Sequence, residues 1–144
     1  MAAAQAVKRR VRFLTAEQVV HMHDLLLERF GGAGGGGARG RAYEGVDAAV
    51  QAVKNSYYET IEELAAAYAV YIVQGHVFLD GNKRAGAAAM LVFLEANGHR
   101  VRLSAAEVAT LMVELQRRAE TGESIGSLVS SIAVVLRERG ARKL

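Results

Sequence analysis

The stretch that decides the fold is ELAAAYAVYIVQGHVFLDGNKRAGAAAMLVFLEANG, residues 63–98. Its two ends are long apolar runs whose large and small side chains cover most of a helical circumference, which predicts two central, buried helices. The second run stops at Asn97-Gly98, a typical helix-ending signal. Between the runs lies HVFLDGNKRAG, residues 76–86. This segment contains an imidazole, a carboxylate, an amide, an ammonium and a guanidinium, far more than a helix connection needs.

Helical patterns also fill the chain on both sides of this stretch. TAEQVVHMHDLLLERF, residues 15–30, opens with Thr15 and Gln18 in the spacing of a capping box. Its apolar positions at helical spacing are Val19, Met22, Leu26 and Phe30. A second capping box, Ser104 and Glu107, precedes the pattern at residues 105–120.

Two further helical patterns are EGVDAAVQAVKNSYY (44–58) and SIGSLVSSIAVVLRER (124–139), and HRVRL (99–103) is a short extended piece. The sequence has no internal repeat. We therefore predict an all-α protein, a compact bundle of about six helices.

The glycine-rich segment GGAGGGGARG, residues 31–40, separates the first two predicted helices. Glycine loses the most backbone entropy on ordering, so we expect a flexible loop there. A chain of 144 residues suits one domain with one hydrophobic core. The predicted organisation is a single domain, residues 1–144, with this loop inserted.

Composition narrows the class of protein. Because 51% of the residues are hydrophobic, the chain is not disordered as a whole, yet no apolar run reaches the roughly 18 residues that a membrane span needs. The start, MAAAQAVKRRVRF, lacks the apolar core of a secretory signal. Without cysteine there is no disulfide and no thiolate ligand or nucleophile. These features predict a soluble cytoplasmic protein with no membrane partner.

The formal net charge is +3, and most of the surplus lies near the two ends of the sequence. Cationic clusters at chain ends are typically solvated tails. The sequence has neither an aromatic RNA-binding motif nor zinc-finger spacing. The charge pattern therefore argues against nucleic acid as a partner.

The polar segment at residues 76–86 has the features of an anion-binding site. Gly81 and Asn82 directly precede a helix, whose free N–H groups and positive dipole end attract anions. A Gly-Asn step also readily forms a concave set of backbone donors. Lys83 and Arg84 place two cations in the first helical turn, where the dipole normally disfavours them, which indicates a bound polyanion such as a phosphate chain.

Asp80 and His76 complete this hypothesis. A carboxylate beside a phosphate site needs a cation between them, and Mg²⁺ held by one or two carboxylates and phosphate oxygens is the usual one. An imidazole can take the proton of an incoming hydroxyl. Phe78 is expected to enter the core and fix the loop. Each residue alone has an ordinary structural explanation, but the ordered set predicts group transfer from a nucleotide.

The segment HVFLDGNKR resembles the signature of the Fic/Doc family, His-x-Phe-x-Asp/Asn-Ala/Gly-Asn-Lys-Arg, in the form typical of its Doc ("death on curing") branch. ERFGG before the glycine run, LAAAYAVYI before the motif and FLEANG after it are similar to family segments too. The resemblance spans about residues 15–130. It implies a Fic fold, ATP and Mg²⁺ as cofactors, and transfer onto a protein hydroxyl.

Site roles follow from the resemblance position by position. His76 would be the general base, Asp80 would hold Mg²⁺, and Gly81 and Asn82 would line the phosphate site. Lys83 and Arg84 would grip phosphates and act in catalysis. In adenylylating members glycine stands at the position of Lys83, and a second arginine stands where this chain has Ala87.

The form of the motif with lysine at position 83 resembles the Doc branch. This resemblance implies a protein kinase that transfers the γ-phosphoryl group of ATP to a target such as a translation elongation factor. The chain contains no Ser/Thr-x-x-x-Glu-Gly/Asn inhibitory motif. The resemblance therefore implies a toxin restrained by an antitoxin protein in trans. Two alternatives stay open: a Fic-type adenylyltransferase using the same site, and a non-enzymatic helical binding module whose site has decayed.

Overall fold

Six helices of 14 to 16 residues form most of the computed structural model, which describes residues 10–31 and 41–141. The helices are α1 (Ala16–Phe30), α2 (Arg41–Lys54), α3 (Ile61–Gly75), α4 (Asn82–Ala96), α5 (Ala105–Glu120) and α6 (Ile125–Glu138). The predicted all-α bundle is confirmed. Of the predicted glycine-rich loop only Gly31 is described; residues 32–40 lie outside the described part of the chain.

Most helix starts follow from local sequence. The hydroxyls of four cap residues accept backbone N–H bonds at the starts of α1, α3, α5 and α6, and these residues are Thr15, Thr60, Ser104 and Ser124. The first three form complete capping boxes, so both predicted boxes are confirmed. Each cap satisfies backbone donors that would otherwise lack a partner.

Helix α3 is the centre of the bundle. It packs against α2, α4, α5 and α6, and every residue from Leu64 to Val70 is buried. The Tyr68 hydroxyl accepts the Leu14 N–H at 2.9 Å and so ties the segment before α1 to the core. Burial raises the pKa of Tyr68 to about 12. The two apolar runs are thus the central helices, as predicted.

Helices α3 and α4 approach closely at Gly86. A Cβ atom at that position would lie 2.9 Å from Val73 Cγ2 and 3.3 Å from the Ala69 carbonyl oxygen. Only a residue without a side chain allows the two backbones to come so near. This contact fixes how the end of α3 meets the beginning of α4.

A small antiparallel pairing joins the extended piece to the end of the described chain. Strand β1 (Arg100–Val101) pairs with β2 (Gly140–Ala141), with Val101 opposite Gly140. The extended character of HRVRL was predicted, whereas its partner after α6 was not. Most of the buried apolar residues form one hydrophobic cluster. None of the described helices is long and apolar enough to cross a membrane.

Candidate active site

The candidate site lies at the junction of α3 and α4. His76 directly follows α3 with φ 46° and ψ 48°, a left-handed conformation. Among the described residues it is the one non-glycine residue with positive φ. Such backbone geometry ends the helix abruptly and is enriched at functional positions.

The loop after His76 is anchored by Phe78 and Asn82. The Phe78 ring is buried in the core, as predicted, with 5% of its surface exposed. The Asn82 side chain accepts the Phe78 N–H at 3.0 Å and donates to the Phe78 carbonyl at 2.9 Å. One amide therefore satisfies both backbone groups of Phe78 and closes the loop over the start of α4.

The start of α4 differs from that of the four capped helices. Its cap residue, Gly81, has φ 82° and supplies no side-chain acceptor. The first intrahelical bond runs from the Ala85 N–H to the Gly81 carbonyl at 2.9 Å. The N–H groups of Asn82, Lys83 and Arg84 therefore have no intrahelical acceptor, which is the arrangement that binds anions at helix starts.

A cavity of about 480 Å³ opens above this helix start, and all six residues singled out from the sequence line it: His76, Asp80, Gly81, Asn82, Lys83 and Arg84. The fold also brings residues to the cavity that sequence patterns did not indicate. These are Phe30 and Gly31 from the end of α1, Val73 from α3, Leu79 from the loop and Gln116 from α5. The volume lies in the range of small-ligand sites.

The two cations of the motif are held by these additional residues. Lys83 Nζ donates to Gln116 Oε1 at 2.7 Å. Arg84 Nη1 lies 3.5 Å from the Gly31 carbonyl oxygen, and its guanidinium carbon lies 5.1 Å from the centre of the Phe30 ring. Both side chains are exposed, and these contacts hold them beside the cavity. A bound phosphate group could replace the contacts with stronger, charge-assisted hydrogen bonds.

Asp80 is the acidic side chain of the cavity. Its Oδ1 accepts the Gly81 N–H at 2.7 Å. Across residues 10–31 and 41–141 no three His, Cys, Asp or Glu side chains group as a metal site would require. The single carboxylate of Asp80 is compatible with Mg²⁺ only as part of a shared shell, because Mg²⁺ commonly takes one or two protein carboxylates and fills its other positions with phosphate and water oxygens.

The arrangement combines a histidine, a carboxylate, two cations and backbone donors without an intrahelical acceptor around one cavity. Helix N–H groups and cations stabilise negative charge on phosphate oxygens, while an imidazole accepts a proton from a nucleophile. These are the components of phosphoryl or nucleotidyl transfer.

Sequence comparison agrees with this geometry. The Fic/DOC family pattern matches residues 13–94, more than half of the chain, including every motif residue at the cavity. The protein therefore belongs to the Fic/DOC family. It is similar to "Protein kinase doc" of Escherichia phage P1, with 37% identity over 129 residues that cover 88% of this chain and 94% of the phage protein. The predicted resemblance to the Doc branch is confirmed.

Proposed function

We propose that the protein is a Doc-like toxin that transfers the γ-phosphoryl group of ATP to a hydroxyl of a target protein. The observation that carries the proposal is the convergence of all six motif residues on one cavity. The name of the phage relative, a protein kinase, supports the same reaction class.

In the proposed reaction the target hydroxyl oxygen forms a bond to the γ-phosphorus. The bond between that phosphorus and the oxygen shared with the β-phosphate breaks, and ADP leaves. His76 takes the hydroxyl proton, because it is the histidine that lines the cavity. Lys83, Arg84 and the N–H groups of the first turn of α4 bind the phosphate oxygens on which charge accumulates.

Asp80 would hold Mg²⁺, which supplies charge neutralisation between phosphate oxygens when bound. Lys83 favours the phosphoryl reaction over the adenylyl one. Its side chain lines the cavity with the ammonium group bonded to Gln116, and the resemblance puts glycine at this position in adenylylating relatives. Ala87 occupies the position of the second arginine of those relatives.

The proposed setting is the cytoplasm, and the proposed target is a translation elongation factor. A catalyst acting on an abundant factor arrests growth at low copy number because each molecule turns over many times. We propose that an antitoxin supplied in trans restrains the site, since the sequence contains no inhibitory motif of its own.

Expression in cells tests this proposal. Wild type and His76→Asn are induced at matched protein levels, and asparagine tolerates the left-handed backbone of position 76. We expect arrest with wild type only, relieved when the neighbouring open reading frame is co-expressed. Equal, unimpeded growth of the two strains would contradict the proposal.

A further inference from the structure

His23 on α1 reaches the motif loop from a distant part of the sequence. In the described ranges it is the one polar or charged residue that is buried, with 1% of its surface exposed. Its Nε2 lies 2.7 Å from the Asp80 carbonyl oxygen. Because a carbonyl oxygen can only accept, Nε2 carries the proton and donates it.

The imidazole also stacks on the anchor of the loop. The His23 and Phe78 rings are nearly parallel, at 6°, with centroids 3.6 Å apart. One side chain therefore holds the loop at two points, through the ring of Phe78 and through the backbone of Asp80. The loop between these points has little freedom to shift relative to α1.

Gly81 accommodates this approach. A Cβ atom at Gly81 would lie 3.3 Å from His23 Nε2, which is tighter than ordinary packing, and 3.4 Å from its Cδ2. Gly81 is also the cap residue of α4 and adopts φ 82°. The imidazole thus packs against Gly81, directly before the N–H groups of the first turn of α4.

Stability alone does not call for a histidine at this position. Burying a polar ring costs free energy unless its polar atoms are bonded, and Nδ1 is buried without a hydrogen-bond partner in the described part of the chain. An apolar ring could stack on Phe78 equally well. An apolar ring, however, could not donate a hydrogen bond to the Asp80 carbonyl oxygen.

We propose that His23 is a positioning residue of the transfer site, a role that rests on the proposed function. Its Nε2–H holds the Asp80 carbonyl, and its ring holds Phe78, so that the Asp80 carboxylate and the start of α4 keep their places relative to His76. A misplacement of about 1 Å in such a site can cost on the order of a hundredfold in rate.

Three variants separate the donor from the ring. His23→Phe keeps an aromatic ring without a donor. His23→Gln and His23→Met have similar length, and only the glutamine can donate from the position of Nε2. His21→Phe, at an exposed position of the same helix, is the matched control.

We expect kcat for phosphoryl transfer to fall about ten- to a hundredfold in His23→Phe and His23→Met, with a smaller change in KM for ATP. His23→Gln is expected to recover most of the loss relative to His23→Met, and His21→Phe to match wild type. Should His23→Phe not fold, the Gln and Met pair still decides the outcome. Equal kcat in that pair would overturn the proposal.

Amide hydrogen exchange provides a readout that needs neither ATP nor a target. The Phe78 N–H, bonded to Asn82, is expected to exchange about five- to tenfold faster in His23→Met than in His23→Gln, while amides of central α3 stay unchanged. If wild type transfers no phosphoryl group, the proposed function is wrong, and exchange alone tests whether His23 places the loop. Faster exchange with unchanged kcat would reduce His23 to a structural residue and overturn the proposal.

Discussion

Lys83 and Arg84 stand beside the cavity although the helix dipole disfavours cations in the first turn of α4. Each is held by a partner from another element: Gln116 from α5 for the lysine, and Gly31 with Phe30 at the end of α1 for the arginine. The negative charge of a bound phosphate chain would offset the repulsion between these cations and the helix dipole. Because both side chains are exposed, they can leave their present partners and bind the phosphate.

Lys83→Met and Arg84→Met test this account. We expect each to lower kcat/KM for transfer by about a hundredfold, the size of effect seen when a single charge-stabilising donor is lost. The free energy of unfolding should change by no more than about 0.5 kcal/mol, since both residues are exposed. Arg117→Met, an exposed cation on α5 that does not line the cavity, is the control. Transfer at the wild-type rate by both single variants and by the double variant would contradict the proposal that Lys83 and Arg84 bind the phosphate chain.

The motif residues were predictable from sequence because they are contiguous, so their order alone carries the chemistry. Their partners were not. Phe30 was placed on the apolar face of α1, yet 58% of its surface is exposed and its ring faces Arg84. His23 fills a buried position of that helix instead. Helical periodicity gives the spacing of a face, and tertiary contacts decide which side chains at its margin are buried.

Gly86 allows the close contact of α3 with α4, and this contact supports a prediction about stability. Gly86→Ala would bring a Cβ to 2.9 Å from Val73 Cγ2, which forces a shift in a packed interface. We expect a loss of about 1–3 kcal/mol in the free energy of unfolding, measured by denaturant titration. At Gly126 in α6 an added Cβ meets nothing within 4 Å, so Gly126→Ala should be neutral or stabilising by up to about 1 kcal/mol. If Gly126→Ala lowered the free energy of unfolding more than Gly86→Ala did, the close contact between α3 and α4 at Gly86 would be contradicted.

The link between α5 and α6 gives a pH-dependent prediction. Hydrogen bonds from Arg118 and then Ser127 lower the pKa of Glu123 from its ordinary 4.5 to about 2. A carboxyl group with a lowered pKa in the folded state adds stability above its unfolded pKa, and this is lost as pH falls through the folded value. Glu123→Gln should therefore destabilise the protein most near neutral pH, with the difference shrinking between about pH 4.5 and pH 2. A difference that stays constant over that window would count against this ion pair.

Helix starts were predictable wherever a short-range signal exists. The capping boxes of Thr15 and Ser104 act within one turn, so four residues of sequence suffice to identify them. The helix predicted over residues 44–58 instead spans Arg41–Lys54, because its last residues form turns before the Thr60 cap. The β1–β2 pairing joins residues far apart in sequence, and two-residue strands carry no periodic pattern.

The whole molecule assembles the site from three separated parts of the chain. The end of α1, the α3–α4 junction and α5 each supply residues to one cavity, and α4 packs against α1, α3 and α5. The predicted family, fold class and kinase-type enzyme agree with the Fic/DOC match and with the name of the phage relative. The organisation as one domain over residues 1–144 and the individual site roles stay predictions.

The most direct measurement uses purified protein, a purified translation elongation factor, and ATP labelled in parallel at the α- or the γ-phosphate. We predict that the acceptor retains the γ label and not the α label. His76→Asn should reduce the incorporation by about 10²–10⁴-fold, the usual contribution of a positioned proton acceptor. Retention of the α label would identify adenylyl transfer and contradict the proposed reaction, and equal incorporation by wild type and His76→Asn would contradict the role of His76.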